Sequence, residues 1–451
     1  MDNSNLLVGL DIGTTSIKAV VSDSGNVIGA VKVSNTGMRH GKIVDIDQTA
    51  LAIKKALKEI EQKINTTIYR VVTGIPVGML QLETASDMIN IGDSAREIED
   101  IDVKRALQTA INSAVKNERE PIAFLPSRFL IDGKADVDDP RKMIAHSLAV
   151  HGILLTAPSG ALHNVKKAIE RAGYQNDLFI PAPLAIASSA LTESERTFGS
   201  VLLDLGGGIT TATIIHDGQI KYANIDFEGG SDISNDISVV LSISKKDAEQ
   251  LKFDYGFADP SLTSKKNQFA VNSVGAPNQK IVDETYLSQI INARMLQIID
   301  RIGNGLAKHN GLNLPGGIVI TGGNSLLQGT AGLVAQRLGV KTRIFQPTEL
   351  GIHSPEYAAA YGIVNYVAKM SETDFLVEQV IYGNEALTRP KDKKVQKNNK
   401  VSNRIVSISE TREKEAYNRD ELPREKKSSD DRPKKTKQKK GIKNLFKKFF
   451  D

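Results

Sequence analysis

Cysteine and tryptophan are both absent from this chain of 451 residues. The lack of cysteine excludes a disulfide framework and any thiolate metal site. No stretch reaches about 18 uninterrupted apolar residues, so we expect no segment that spans a membrane. The polar Met1 to Asn5 has no basic region ahead of an apolar one, so we expect no signal peptide.

Charge is distributed unevenly along the chain. Residues 386–451 contain 22 lysines and arginines against 10 aspartates and glutamates, a net charge of +12. Because the whole chain carries +5, residues 1–385 carry −7. An acidic body with a basic tail predicts that the tail meets an anionic surface.

Residues 6 to about 385 alternate between strand-like and helix-like patterns. The expected strands are residues 6–10, 18–22, 27–33, 68–72, 200–205, 211–216 and 317–321, and the expected helices are residues 50–62 and 326–338. This alternation predicts an α/β fold, and the length favours two or more lobes.

A first phosphate-type loop follows the first strand. The strand ends at Asp11, and Gly13, Thr14 and Thr15 come next, with Lys18 closing the motif. Glycine permits phosphate oxygens to approach backbone N–H groups, and the threonines add hydroxyl donors. Asp11 is placed to orient water on a phosphate-bound Mg²⁺. Taken alone, this pattern is about as typical of an ordinary β-turn.

The same pattern recurs about 190 residues later. Asp204 ends an apolar strand, and the loop contains Gly206, Gly207, Gly208 and Thr210. Consecutive glycines weaken a strand unless something must approach the backbone. Two such hairpins predict two related lobes that hold one polyphosphate.

A third glycine-rich turn, with Gly322 and Gly323, follows the buried-type strand at 317–321. Glycines there allow a base or ribose to lie against the backbone, although a structural turn is equally typical. A P-loop sequence is absent, and so is a Rossmann glycine motif after the first strand.

These loops together resemble the actin, Hsp70 and sugar-kinase superfamily over residues 6–385. The resemblance implies an actin-like, two-lobed ATPase fold of the α/β class, which binds ATP with Mg²⁺ held through water by Asp11 and Asp204. Gly322 and Gly323 match the adenosine loop, and residues 354–362 are similar to the closing helix.

Longer strings resemble the FtsA family in particular. They are residues 37–46, 125–133, 139–143, 228–237 and 247–252. In that family residues 125–143 belong to an insertion, subdomain 1C, which actin lacks. The resemblance implies that Gly229 and Gly230 lie in a further nucleotide loop, and that Glu249 and Lys252 approach ribose and adenine. An ion pair on a solvated helix face is the other reading of Glu249 and Lys252.

The resemblance also implies a division into subdomains. These are 1A at 1–80 and 161–200, 1C at 81–160, 2A at 201–228 and 316–385, and 2B at 229–315. Subdomain 2B would receive the C-terminal tail of FtsZ, and Arg294 resembles the basic residue of that face. An ordinary surface arginine is an equally good reading.

One region departs from the superfamily. Actin-like ATPases place a glutamine or glutamate near the γ-phosphate, and the matching residues 179–185 contain neither. We therefore expect ATP to act as a conformational ligand, with weak or absent hydrolysis.

The tail divides into two parts. Residues 386–440 are predicted to be a disordered basic linker, because they are too polar to bury a core. Residues 441–451 show helical periodicity and are predicted to form an amphipathic helix on an anionic membrane. Its apolar residues are Ile442, Leu445, Phe446, Phe449 and Phe450, and its lysines are Lys443, Lys447 and Lys448. A helix that docks on protein is the alternative.

The family resemblance implies a peripheral cell-division protein that anchors FtsZ, in the Z ring, to the cytoplasmic membrane at the septum. It further implies actin-like filaments through 1C and recruitment of other divisome proteins. Nucleic acid is not an expected partner. The alternatives are a small-molecule kinase of the same superfamily, an Hsp70-like chaperone and a PilM-like pilus assembly ATPase.

Overall fold

The computed structural model describes residues 6–275 and 279–383. The predicted linker at 386–440 and the predicted helix at 441–451 lie outside the described residues. Within the described ranges, no helix is both long and apolar enough to cross a membrane.

The strands of the described residues are spread along the whole body. In chain order they are β1 (Leu6–Ile12), β2 (Ser16–Asp23), β3 (Asn26–Ser34), β4 (Met38–Arg39), β5 (Lys42–Ile43), β6 (Arg70–Ile75), β7 (Gln81–Asn90), β8 (Arg96–Glu97), β9 (Arg119–Ile131), β10 (Ala135–Val137), β11 (Ile144–Ala145), β12 (Ser147–Pro158), β13 (Gln175–Pro181), β14 (Ser200–Leu205), β15 (Thr210–His216), β16 (Gln219–Asp226), β17 (Gln268–Val271), β18 (Lys280–Asp283), β19 (Ile318–Thr321) and β20 (Thr342–Ile344).

Helices lie between some of these strands, and two more follow the last strand. They are α1 (Ile46–Ile64), α2 (Asp100–Ala114), α3 (Ser159–Ala172), α4 (Ala182–Ala190), α5 (Glu193–Phe198), α6 (Gly230–Leu241), α7 (Lys245–Tyr255), α8 (Glu284–Lys308), α9 (Thr330–Leu338), α10 (Ala358–Ala368) and α11 (Glu372–Tyr382). Polar caps explain several helix starts, since Asp45 accepts from Gln48 N at 2.9 Å and Asp283 accepts from Tyr286 N at 2.9 Å.

Two five-stranded sheets have the same topology. One has the order β3-β2-β1-β6-β13 and the other β16-β15-β14-β19-β20. In each, the first three strands are antiparallel neighbours and the last two add in parallel. The hairpins β1–β2 and β14–β15 therefore occupy equivalent places in two lobes, each with its own apolar core.

An inserted subdomain interrupts the first lobe. Its sheet has the order β10-β9-β12-β7, the helix α2 packs on this sheet, and β8 pairs with β11. The buried core of the insertion includes Leu107, Phe124 and Leu148. It also receives Leu376 and Val377 from α11, so the last described helix belongs to this core.

Three details differ from the sequence-based expectations. The helix expected at 326–338 begins only at Thr330, because Gly329 has a left-handed backbone with φ of 85°. The strand expected at 68–72 lies at Arg70–Ile75, where its register with both β1 and β13 places it. Finally, α10 packs on α4 and β1, and α11 packs on α2 and β9. Residues 358–382 thus pack on the first lobe and the insertion, although the expected subdomain 2A at 316–385 included them.

Candidate functional site

A cleft of about 440 Å³ lies between the two lobes. Both equivalent hairpins reach it, and so do the turns that follow β19 and that precede α10. The phosphate-type loops were predicted from separate stretches of sequence. In the structure both loops line one cavity, and residues 14–15 lie directly against residues 207–208.

The first phosphate loop, residues 13–15, is a tight turn between β1 and β2. Gly13 N donates to Ser16 O at 3.0 Å, and Asn35 Nδ2 donates to Gly13 O at 2.9 Å. A Cβ on Gly13 would lie 2.8 Å from Ser16 O, so a side chain would open the turn. The loop therefore presents its backbone and two threonine side chains to the cleft.

The second phosphate loop, residues 206–209, is built from glycine because the first loop lies against it. A Cβ on Gly207 would lie 2.4 Å from Thr15 Oγ1, and one on Gly208 would lie 2.4 Å from Thr14 Cγ2. Gly206 N closes the turn by donating to Ile209 O at 3.1 Å. The glycine run thus permits the close approach of the two lobes.

Three charged groups lie at the base of the cleft. Lys18 Nζ is 3.1 Å from Asp11 Oδ2, and the charges of Asp11 and Asp204 both act on Lys18. Burial pushes the pKa of Lys18 down, but the charge and hydrogen bond of Asp11 outweigh it and the net shift is upward. Burial, aided by the neighbouring Asp11 charge, raises the pKa of Asp204 to about 6. The amine therefore stays charged, paired with Asp11 and also stabilised by the charge of Asp204.

Glu249 and Lys252 line the cleft on the second-lobe side, one helical turn apart on α7. The Lys252 side chain is only 1% exposed, and its Nζ lies 2.9 Å from Gly230 O and 3.0 Å from Glu249 Oε2. Burial lowers the pKa of Lys252, against the opposing charge of Glu249. Lys252 is thus enclosed and bonded to the Gly230 carbonyl, whereas the Glu249 side chain is 44% exposed, so only the lysine of this pair is buried.

The glycine turn after β19 approaches the same site. Gly322 has a left-handed backbone with φ of 87°, and a Cβ there would lie 2.4 Å from Asp204 Oδ1. The next residues, Gly323 and Asn324, also line the cleft. Asn324 Nδ2 donates to Gly206 O at 2.6 Å, so this turn is joined to the second phosphate loop.

The structure brings most of the predicted nucleotide residues to the cleft. Those that line it are Asp11, Gly13, Thr14, Thr15, Lys18, Asp204, Gly206, Gly207, Gly208, Gly230, Glu249, Lys252, Gly322 and Gly323. Thr210 and Gly229 are not among the lining residues. Thr210 Oγ1 donates to Glu228 O at 3.0 Å, and Gly229 lies behind Gly206, whose oxygen would be 2.5 Å from a Cβ at 229.

Sequence reasoning missed Lys32, Asn324 and Glu356, which also line the cleft. Lys32 pairs with Glu356 across 324 residues of chain at 2.5 Å. Lys32 could have been found from the alternation of β3, because it lies directly opposite Lys18 in the sheet. Glu356 belongs to the stretch that resembled a closing helix, but no pattern within it indicated a site residue.

The region expected near a γ-phosphate does reach the cleft. Ala182 and Pro183 line it, and neither side chain can orient a water molecule. The expectation of weak hydrolysis stays a prediction.

The donor set fits Mg²⁺ held mainly by phosphates and water. Asp11 and Asp204 supply two carboxylates, and Mg²⁺ commonly uses one or two carboxylates and keeps several waters. In the described part of the chain, no group of three or more histidine, aspartate or glutamate side chains could hold a metal by itself.

Arg294 lies on α8, away from the cleft lining. Its Nη1 is 2.8 Å from Glu228 Oε2 and its Nε is 2.7 Å from Asp236 Oδ2. The side chain is 23% exposed, so part of the guanidinium is accessible although both partners are already in place. The predicted membrane residues between Ile442 and Phe450 lie outside the described residues.

Comparison with known families gives two matches. A profile described as "Cell division protein FtsA" matches residues 201–362, and one described as "SHS2 domain inserted in FTSA" matches residues 78–156. The second match falls on the subdomain that interrupts the first lobe.

Curated relatives described as "Cell division protein FtsA" align over most of the chain. The Enterococcus hirae protein is 38% identical over 85% of this chain and 88% of its own length. The Streptococcus pneumoniae serotype 2 protein is 38% identical over 86% of each chain. The Bacillus subtilis protein is 31% identical over 82% of this chain and 85% of its own length.

Solved structures agree on the fold. A PilM–PilN type IV pilus biogenesis complex aligns with a TM-score of 0.57 at 16% identity, covering 81% of this chain and 99% of that chain. A MamK double helical filament aligns with a TM-score of 0.50 at 11% identity, with the same coverage. At these identities the likeness concerns the fold alone, and the expected actin-like α/β fold with an insertion is confirmed.

Proposed function

Because this chain belongs to the FtsA family of cell division proteins, we propose that it is an ATP-binding tether between FtsZ and the cytoplasmic membrane. It anchors the Z ring at the division septum as a peripheral protein and helps to recruit other divisome proteins. The single observation that carries the nucleotide part is the meeting of two equivalent phosphate loops in one cleft, which Lys18, Asp11 and Asp204 also line.

ATP would bind with its phosphates between the two loops. The backbone N–H groups and threonine hydroxyls of the first loop donate to phosphate oxygens, while the glycine loop permits close approach. Lys18 supplies positive charge, and Asp11 and Asp204 hold Mg²⁺ through water. Magnesium would screen the phosphate charge, and the chain's own residues position the nucleotide.

ATP serves mainly as a conformational ligand in this proposal. Residues 179–185 offer no carboxylate or amide to orient an attacking water. Steady-state phosphate release should therefore be weak or absent for the purified protein with ATP and Mg²⁺. Robust turnover that is lost in Asp204→Asn would contradict this part of the proposal.

FtsZ would bind through its C-terminal tail to subdomain 2B, with Arg294 as the basic contact. An acidic group of the tail would compete with Asp236 and Glu228 for the guanidinium. The matched variants Arg294→Lys and Arg294→Met separate charge from the bidentate geometry of arginine. We expect the methionine variant to weaken tail binding more than the lysine variant.

The tail of the chain would carry the protein to the membrane. Each large apolar side chain of residues 441–451 contributes up to roughly 1.5–3 kcal/mol when buried, and each nearby lysine adds about 1 kcal/mol on an anionic leaflet. A linker of about 55 residues has an r.m.s. span near 40 Å, which separates the body from the bilayer. Filaments of the actin-like body, formed through 1C, would multiply these weak anchors on lipid.

Co-sedimentation with anionic liposomes, ATP and FtsZ tests the tether. Three proteins are compared: the full chain, a deletion of residues 441–451, and a matched deletion of residues 401–411 that shortens only the predicted linker. We expect the full chain and the linker deletion to bring FtsZ down with lipid, and the terminal deletion to leave it in solution.

Two outcomes would overturn the tether. If FtsZ stays in solution with all three proteins, the proposed role in division is contradicted. Lipid binding that survives the terminal deletion would remove residues 441–451 as the anchor. Electron microscopy of lipid-bound protein with ATP tests the filaments, and monomers alone would contradict that part.

A further inference from the structure

The hairpin at residues 38–43 crosses from the first lobe to the second. Its strands β4 and β5 pair Met38 with Ile43 and Arg39 with Lys42, which leaves His40 and Gly41 as a two-residue turn. Both turn residues have a left-handed backbone, with φ of 45° and 74°. At the tip, His40 Nδ1 donates to the carbonyl of Phe227, 2.6 Å away in the second lobe.

The inner side of this hairpin holds the first phosphate loop. Gly41 N donates to Thr14 Oγ1 at 3.0 Å. The base of the hairpin is anchored by Asn35, whose Oδ1 accepts from Gly37 N at 3.0 Å and whose Nδ2 donates to Gly13 O at 2.9 Å. A movement of the phosphate loop is therefore transmitted to the hairpin at both its base and its tip.

Phe227 belongs to residues 226–230, a segment that runs from the last residue of β16 to the first residue of α6 and that we call the connector. The second phosphate loop holds the connector from the other side. Thr210 Oγ1 donates to Glu228 O at 3.0 Å, and Gly230 N donates to Gly206 O at 3.1 Å. The connector thus contacts both phosphate loops, one through the hairpin and one directly.

The connector also carries the partner of Arg294. The Glu228 carboxylate is 2.8 Å from Arg294 and also pairs with Arg301, both on α8. Asp226, at the other end of the connector, pairs with Arg301 as well. Direct contacts therefore run from Thr14 through Gly41, His40 and the connector to the face of α8 that contains Arg294.

We propose that the hairpin at residues 38–43 is a clasp that couples phosphate binding at Thr14 to the Arg294 face, through the hydrogen bond between His40 and Phe227. The proposal rests on the proposed function, because its two ligands are ATP and the FtsZ tail. A polyphosphate that bridges both loops holds the lobes together and keeps the clasp closed. The connector is then ordered before the tail arrives, so tail binding no longer carries the entropy cost of ordering the connector. Coupling of this kind is reciprocal.

Three substitutions of His40 test its hydrogen bond to Phe227. His40→Asn retains a donor nitrogen at the same distance from the backbone and tolerates the left-handed conformation. His40→Asp has the same shape as that variant but cannot donate. His40→Gly removes the side chain without backbone strain. His40 itself does not line the cleft, so none of these changes removes a nucleotide contact.

The experiment measures the affinity of a synthetic FtsZ C-terminal peptide for the full chain, with and without ATP and Mg²⁺. We expect ATP to tighten peptide binding by about fivefold or more for the wild type and for His40→Asn. For His40→Gly and His40→Asp the ratio should fall below about twofold, while affinity without ATP stays near the wild-type value. Hydrogen exchange of residues 226–230 should slow on ATP addition in the wild type and in His40→Asn. It should not slow in His40→Gly or His40→Asp.

The outcomes separate the clasp from the function it rests on. If His40→Gly and His40→Asp keep the wild-type ratio and the ATP-dependent protection, the clasp is overturned and the tether stands. The same holds if the wild type binds both ligands without any coupling between them. If the wild type binds no ATP, or binds ATP but no tail peptide, the proposed function fails and the coupling fails with it.

Discussion

The two phosphate loops occupy equivalent places in equivalent sheets, yet their chemistry differs. The first loop contains Thr14 and Thr15 and is followed by Lys18, whereas the second contains three glycines. The glycines face the threonines so closely that a Cβ on Gly207 or Gly208 would lie 2.4 Å from a threonine atom. The comparison indicates that one loop supplies threonine donors with a lysine close by, and the other loop supplies the space for them.

The largest expected effect comes from filling that space. Gly207→Ala places a methyl group against the branched, stiff Thr15 and should weaken ATP binding about 100-fold, or roughly 2.7 kcal/mol, by keeping the lobes apart. Isothermal titration with ATP and Mg²⁺ measures it. Gly332→Ala is the matched control, because a Cβ there meets nothing within 4 Å on α9.

A double-mutant cycle shows whether the clash is the cause. In a Thr15→Ala background, Gly207→Ala should weaken ATP binding much less than it does alone, since two of its close contacts are gone. Equal effects in both backgrounds would mean that the glycine loop does not owe its composition to Thr15.

The next effect concerns the charge that only the first loop carries. Lys18→Met leaves Asp11 and Asp204 without their cation, and we expect ATP affinity to fall about 10- to 100-fold. Lys32→Met is the control from the same cavity, because its side chain is 44% exposed and pairs with Glu356 instead. Similar losses for both lysines would show that the cleft responds to overall charge and not to the place of Lys18.

The second lobe's contribution of charge should be sensitive to pH. The pKa of Asp204 is raised to about 6 by burial, so its carboxyl is ionised near neutral pH and protonated below. Affinity for ATP with Mg²⁺ should fall by up to about tenfold between about pH 7.5 and about pH 5. Asp204→Asn should bind weakly and show only the pH dependence that ATP itself brings. A wild-type profile that matches the variant's would exclude Asp204 from the site.

The smallest effect separates the threonines of the two loops. Thr14 lines the cleft, whereas Thr210 is 1% exposed and donates to Glu228 O. Thr14→Val should weaken ATP binding about threefold to tenfold with little change in stability. Thr210→Val should lower the free energy of unfolding by about 1 kcal/mol and change ATP affinity less than Thr14→Val does. Denaturant unfolding and ATP titration of both variants measure these changes. A larger loss of ATP affinity in Thr210→Val than in Thr14→Val would contradict this prediction.

Most of the predicted nucleotide residues could be picked out from the sequence because they follow a local rule. A strand, an aspartate and a glycine turn can be recognised within about ten residues of sequence. The recurrence of this pattern indicated two lobes. Thr210 was placed in the site by the same rule and lies behind it, because the second loop turns its hydroxyl toward Glu228. Lys32 and Glu356 were missed because 324 residues of chain separate the two halves of their ion pair.

By itself the sequence determined the α/β class, the paired loops, the charge difference between body and tail, and the periodicity of residues 441–451. Each of these depends on neighbours in the chain or on composition. Only the tertiary structure decided which loop faces glycine, that Lys18 pairs with Asp11 and feels the charge of Asp204, that α11 completes the core of the insertion, and that His40 reaches the second lobe. Those facts depend on how distant segments pack, and packing is a property of the whole fold.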